Sequence, residues 1–256
     1  MAAVPPYSSM RNAVDGLWFA GVDGCRTGWV AAFAPAVGGD VRVRIVARFA
    51  DVLAAPEAPS VVAVDIPIGL PERAGPGGRA AENAVRPLLG ARQSSVFSVP
   101  SRAALAAEDY ADACRIAFAS SEPPRKVSKQ LFMLAPKIRE VDALLRDYAA
   151  LTARVFEVHP EVAFWRLNGE RALHEPKKFM GRCYEPGLVL RRSLLVAACV
   201  AEERVNGTPP KGAGADDLLD ALACLAIARR IHSGLARPFP DPPVRDAFGL
   251  PMAIWA

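Results

Sequence analysis

Residues 17–29 read LWFAGVDGCRTGW. An apolar run climbs to Val22, a lone carboxylate follows at Asp23, and Gly24, Thr27 and Gly28 supply a turn before Trp29 opens a second apolar run. The pattern predicts strand, acid, turn, strand. An aspartate leaving the end of a buried strand is costly to desolvate unless a cation meets it, so a metal ion or an arginine is its expected partner. Three later stretches repeat the theme: VVAVDIPIGLP around Asp65, RVFEVHPE around Glu157, and DDLLDALA around Asp217 and Asp220.

Outward from that hairpin, Val41 to Phe49 alternates apolar residues with Arg42 and Arg44, which predicts a third meander strand with its arginines solvated. A short helix is expected over Asp51 to Ala55. Ser60 to Ile66 is apolar on both faces apart from Asp65, as a central strand parallel to its neighbour would be, so the sheet is mixed. From about residue 72 to 135 glycines and prolines interrupt helical stretches, which reads as an insertion. Its cations, among them Arg86, Arg125 and Lys126, have few acids to balance them and could follow a phosphate backbone or merely be solvated.

Ile138, Val141, Leu144, Leu145 and Tyr148 recur at helical spacing, and a buried strand is expected over Ala153 to Val158. Pro160 suits the first turn of a short helix. Further helices are expected from about Leu188 to Arg204 and from Asp216 to Ile231, and the Pro-rich tail ending in MAIWA reads as an extended surface strap. Residues 1–16 lack periodicity and read as a loose extension, leaving 17–256 as one domain.

Composition limits what the acids can do. A chain of 256 residues with 52% apolar content can bury one substantial core. The formal net charge of +4 is too small to signal a nucleic-acid binder by bulk electrostatics, so any basic surface is local. The five scattered cysteines form no pair at metal-ligand or redox spacing and read as thiols of a reducing cytosol. No leader pattern stands out and the longest apolar run, Leu194 to Ala201, is too short to cross a bilayer, so a cytoplasmic protein with no membrane partner is expected.

Acids at neighbouring strand ends, with a helix crossing over them, could converge on one point, as two-metal phosphoryl-transfer sites require. Each also has a plainer explanation. Asp23 could cap its turn, Asp65 could bond loose turn amides, and Glu157 could be satisfied by an arginine. Asp216 and Asp217 suit a helix N-terminus by capping and dipole alone, whereas Asp220, one turn further in, has no such role. His159 is a proton carrier, a substrate contact or a hydrogen-bonded structural residue. Lys177, Lys178 and Arg182 form a basic loop suited to a phosphate. Neither a Walker loop nor a dinucleotide fingerprint occurs.

The ordered motifs GVDGCRTGW (21–29), DIPIGLP (65–71), SSVFSVP (94–100), KIREVD (137–142), EVHPEVAF (157–164) and DDLLDALA (216–223) resemble a domain family of unknown function that carries the label of a predicted RNase H-like nuclease. The resemblance implies an α/β fold: an RNase H-like mixed five-stranded sheet of order 3-2-1-4-5, strand 2 antiparallel, flanked by helices, with a helical insertion after strand 4. It also implies acids placed as in Holliday-junction resolvases, on strands one and four and three residues apart on the last helix. Glu82 and Val85 depart from the family pattern, which often has Asp and Ala before Arg86.

The expected activity is metal-dependent hydrolysis of nucleic-acid phosphodiester bonds. Asp23, Asp65, Glu157, Asp217 and Asp220 are the candidate catalytic residues and ligands of two Mg²⁺ or Mn²⁺ ions, held roughly 3.5–4 Å apart in such sites. Arg86, His159, Lys177, Lys178 and Arg182 are the candidate substrate contacts. Two other classes stay open: a nucleotide-dependent phosphotransferase or phosphohydrolase of the actin-like superfamily, and a non-catalytic nucleic-acid-binding module on the same fold.

Overall fold

In the computed structural model, which describes residues 16–256, the opening stretch forms β1 (Trp18–Cys25) and β2 (Gly28–Pro35), paired antiparallel with Asp23 opposite Val30. The expected N-terminal extension, Gly16 excepted, lies outside the described residues. β3 (Arg42–Val46) completes the meander. Its arginines are not simply solvated: Arg42 and Arg44 both bind Glu57 and lie over the rings of Trp18 and Phe33. Then come α1 (Phe49–Leu53) and β4 (Val61–Val64), the latter parallel to β1.

The segment after β4 carries α2 (Ala80–Val85), a 3-10 stretch (Arg86–Ser95), α3 (Arg102–Ala106) and α4 (Tyr110–Ala119), ahead of the long α5 (Lys129–Asp147). β5 (Val155–Glu157) pairs parallel with β4, which closes the sheet in the order β3-β2-β1-β4-β5 with β2 antiparallel, as expected. Beyond it lie α6 (Pro160–Leu167) and a small hairpin of β6 (Lys178–Phe179) and β7 (Arg182–Cys183). There follow α7 (Glu185–Ala197), α8 (Glu202–Val205) and α9 (Ala215–His232).

Two expectations need correction. The helix expected from Leu188 to Arg204 is two helices, because Cys199 takes a positive φ of 62° and ends the first. It also starts earlier, with Pro186 in its first turn. The tail is not a surface strap but a hairpin of β8 (Pro238–Arg245) and β9 (Pro251–Trp255), which buries Leu250, Ala253, Ile254 and Ala256. Its prolines are tolerated because β8 is paired on one side only, where a missing N–H costs nothing on the open edge.

Period-two alternation sorts the sheet into two apolar layers. Ala20, Val22, Val62, Val64 and Val155 face α1, α3, α4 and α5. Phe19, Val30, Val61 and Ala63 face α6, α7 and α9. Helix α9 lies hard against β1 because Gly21 has no side chain: a Cβ there would sit 2.0 Å from the Leu225 nitrogen and 2.1 Å from the Ala221 oxygen. Among the described residues no helix is long and apolar enough to cross a membrane, and all five cysteines are free.

Candidate functional site

Val22 and Val64 are register partners on adjacent parallel strands, and the Asp65 amide donates to the Val22 carbonyl at 2.9 Å. Asp23 and Asp65 therefore leave the same end of the sheet at the same level. Both belong to the face that packs on α9, since Asp23 pairs with Val30 of that layer. The close approach at Gly21 brings Asp220, on the facing side of α9, over the two strand ends. All three line one cavity of about 430 Å³.

These carboxylates feel one another. Burial, then Asp65 and Asp220, push Asp23 well above the usual carboxylate range. Burial and the charge of Asp220 raise Asp65 to about 8, and burial raises Asp220 in the same direction against the pull of Lys177. Few donors answer them: Asp23 Oδ1 accepts the Gly24 amide at 2.7 Å, and Asp220 Oδ1 is buried without a partner.

The charge facing them is Lys177, whose ammonium binds Asp220 Oδ2. Burial disfavours that charge, but Asp220 and Asp23 outweigh it and hold the ammonium above its ordinary range. The loop bearing it is pinned from below. Arg191, fully buried, binds Glu161 at 2.5 Å and donates to the Glu175 carbonyl at 3.1 Å. Gly187 lets α7 rest on that loop, because a Cβ there would meet the Pro176 oxygen at 1.8 Å. Lys178 binds Asp216 at 2.6 Å and, against burial, keeps that acid below its usual range.

The remaining sequence candidates differ in their partners, although Glu157 and Asp217 line the same cavity. Glu157 is the register partner of Val64, so alternation turns it to the sheet face opposite Asp23 and Asp65. There Arg79 binds it at 2.5 and 3.0 Å, and the Ile68 amide donates to it at 2.8 Å. Burial raises Glu157 to about 7 against the pull of Arg79, and Glu157 and Glu82 together keep Arg79 charged despite its own burial. Acting as a metal ligand, Glu157 would have to give up that partner. Asp217 spends Oδ2 on the Gly214 amide at 2.8 Å, a helix-start role, although its charge reaches Asp23.

His159 lines the cavity, with Nε2 at 3.3 Å from the Ser95 carbonyl, and burial pulls it down to about 4. If Nε2 donates to that carbonyl, Nδ1 is a bare acceptor; it is buried and unpartnered. Arg182 lies exposed in β7 and Arg86 binds Val96, Ser98 and Asn83; neither lines this cavity. Sequence reading gave no site role to Arg79 or Arg191 and took Asp216 only as a helix-start residue. The only local signal for Arg79 was Glu82 three residues on, an ion pair at 2.6 Å within the first helical turn.

The donor set is carboxylate oxygen, which hard divalent cations take, and the orphaned Asp220 Oδ1 has a lone pair to give. As the side chains stand, among the described residues no group of three or more His, Cys, Asp or Glu is gathered to hold a metal ion, and the lysine ammonium is the cation present. In donor chemistry the residues suit Mg²⁺ or Mn²⁺; in position Asp220 is taken by Lys177.

No curated protein and no solved structure matches the chain. A family model described as "Protein of unknown function (DUF429)" matches residues 21–245, a span that holds every acid discussed above. The chain belongs to that family.

Proposed function

We propose that this member of the family is a metal-dependent phosphodiester hydrolase acting on nucleic acid. The observation carrying the reading is the meeting of Asp23, Asp65 and Asp220 in one cavity, from two parallel strand ends and a crossing helix, with too few donors to satisfy them. Structural acids are normally paired; buried acids that repel one another mark a functional site.

Asp23, Asp65 and Asp220 would hold Mg²⁺ or Mn²⁺, while Asp217 starts the helix and Glu157 with Arg79 braces the sheet end. Either ion, when bound, supplies Lewis-acid activation of water and of phosphoryl oxygens. Lys177 releases Asp220 and, with Lys178 at the mouth, meets the non-bridging oxygens of the phosphate. His159 stays neutral near pH 7 and accepts a hydrogen bond rather than serving as a strong base.

The Lys177–Asp220 pair also favours a second reading, a binding module in which lysine has permanently taken the metal's place. Thermal melts in chelator and in millimolar Mg²⁺ or Mn²⁺, with turnover of a generic phosphodiester by wild type and Asp23→Asn, separate the two. The hydrolase requires metal-induced stabilisation, and turnover that Asp23→Asn abolishes. A chain indifferent to both ions is the binding module.

A further inference from the structure

A second cavity, of about 280 Å³, adjoins the first, and Val96, Phe97 and Val99 line both. Its cations are Arg125 and Lys126, and no acidic side chain lines it. Among the described residues neither cation forms a salt bridge, whereas the arginines that brace this fold, such as Arg79, Arg102 and Arg191, all do. Ser121 is buried and holds the backbone of Arg125 from both sides, accepting its amide at 2.7 Å and reaching its carbonyl at 3.4 Å. The position of Arg125 is thus built rather than incidental.

Ser98, also in the lining, takes a 3.0 Å bond from Arg86, whose other partners are neutral oxygens. Burial lowers the Arg86 guanidinium first, the charge of Glu82 opposes that, and Arg125 lies near enough to depress it by a smaller amount. Arg125 and Lys126 are spent on no carboxylate among the described residues, so an arriving anion meets free donors there. The start of α5 lies between the cavities, with Ser128 lining the second and Gln130 the first, so the positive end of a 19-residue helix adds to the field.

We propose that this cavity is a phosphate subsite that holds a neighbouring nucleotide of a single nucleic-acid strand whose scissile phosphate lies over the acid cluster. The inference rests on the nucleic-acid reading above and narrows it: the substrate is an oligonucleotide, not a mononucleotide or a small phosphodiester. Arg125 and Lys126 read the backbone, so binding is tolerant of base sequence and weakened by salt.

The test uses a fluorescently labelled eight-nucleotide single strand, titrated in chelator at several salt concentrations against wild type and Arg125→Ala/Lys126→Ala. Both residues are exposed, so the variant folds, and a melt in Mg²⁺ checks that its metal response is unchanged. The variant is expected to bind roughly tenfold or more weakly, with a salt slope smaller by about 1.4, since each strand phosphate contributes roughly 0.7. Tens of millimolar inorganic phosphate should compete with the strand on wild type and lose that effect on the variant. Equal affinity and slope for the two proteins overturn the subsite. A wild type that binds phosphate but no strand overturns its assignment to a polymer. Both results leave the hydrolase reading to its own metal test.

Discussion

Lys177 places its ammonium on the Asp220 carboxylate, beside Asp23 and Asp65, so one lysine answers a cluster of three buried acids. Three carboxylates against one ammonium leave the cluster acidic. The lysine permits the acids to be buried and would compete with a divalent cation for Asp220.

Replacing it should therefore do two opposite things. Lys177→Met leaves the acids unanswered, and in chelator the loss of stability should fall at the lower end of about 3–5 kcal/mol, because the lysine side chain keeps 28% exposure. Mg²⁺ should then stabilise the variant by more than it stabilises wild type. Chemical denaturation with and without metal reads both, and a variant less responsive to Mg²⁺ than wild type would mean that Lys177 assists the ion rather than competing with it.

The acids also fix how stability changes with pH. Asp65 ionises near 3.8 unfolded and near 8 folded, Asp23 and Asp220 shift the same way, and Glu157 reaches about 7. The folded state binds more protons over that interval, so this contribution is present below the unfolded value and is lost as pH rises through the folded one. His159 has the opposite sign, since it drops from 6.5 to about 4, but its effect is complete above pH 6.5. Between pH 6.5 and 8 in chelator the melting temperature should fall, and Asp65→Asn should flatten the fall. A melting temperature that climbs across this window would show that the acids are not crowded.

Arg79 makes a contrasting case in the lining of the same cavity. Its guanidinium binds Glu82 at 2.6 Å and Glu157 at 2.5 Å with almost no exposure. Arg79→Met should cost about 3–5 kcal/mol by leaving both acids buried and unpaired, and adding Glu157→Gln should return part of it. If the single and double variants unfold at the same denaturant concentration, Glu157 is not what Arg79 serves.

How much of this was legible in the chain depends on sequence distance. Val22–Asp23 and Val64–Asp65 announce strand ends locally, and a run buried on both faces is enough to predict a parallel neighbour and a mixed sheet, whereas the order 3-2-1-4-5 follows from the family resemblance alone. Glu157 looked equivalent because its strand is equally apolar; it lines the same cavity and its charge reaches Asp65, but its one-residue offset in register hands it to Arg79. The partners of these acids lie far off in sequence: Arg79 is 78 residues from Glu157 and Lys177 is 43 from Asp220. No local pattern encodes such pairs. The tail misled for another reason, since prolines that break a central strand are harmless in a two-stranded hairpin.

The last helix is where capping and catalysis can be told apart, because its two acids carry different duties three residues apart. Asp217 binds the Gly214 amide at the helix start and Asp220 is buried under Lys177. Asp217→Asn should cost about 0.3–1 kcal/mol through the lost helix-end charge, equally in chelator and in Mg²⁺, and should leave the shift caused by Mg²⁺ intact. Asp220→Asn should abolish that shift. In chelator it should raise the melting temperature, because Lys177 still faces Asp23 and Asp65 and the like-charge repulsion among the acids falls. Melts of the two single variants in both buffers decide the matter. Should Asp217→Asn erase the Mg²⁺ shift while Asp220→Asn keeps it, the ligand would be the acid at the helix start, and Lys177–Asp220 would be a structural ion pair.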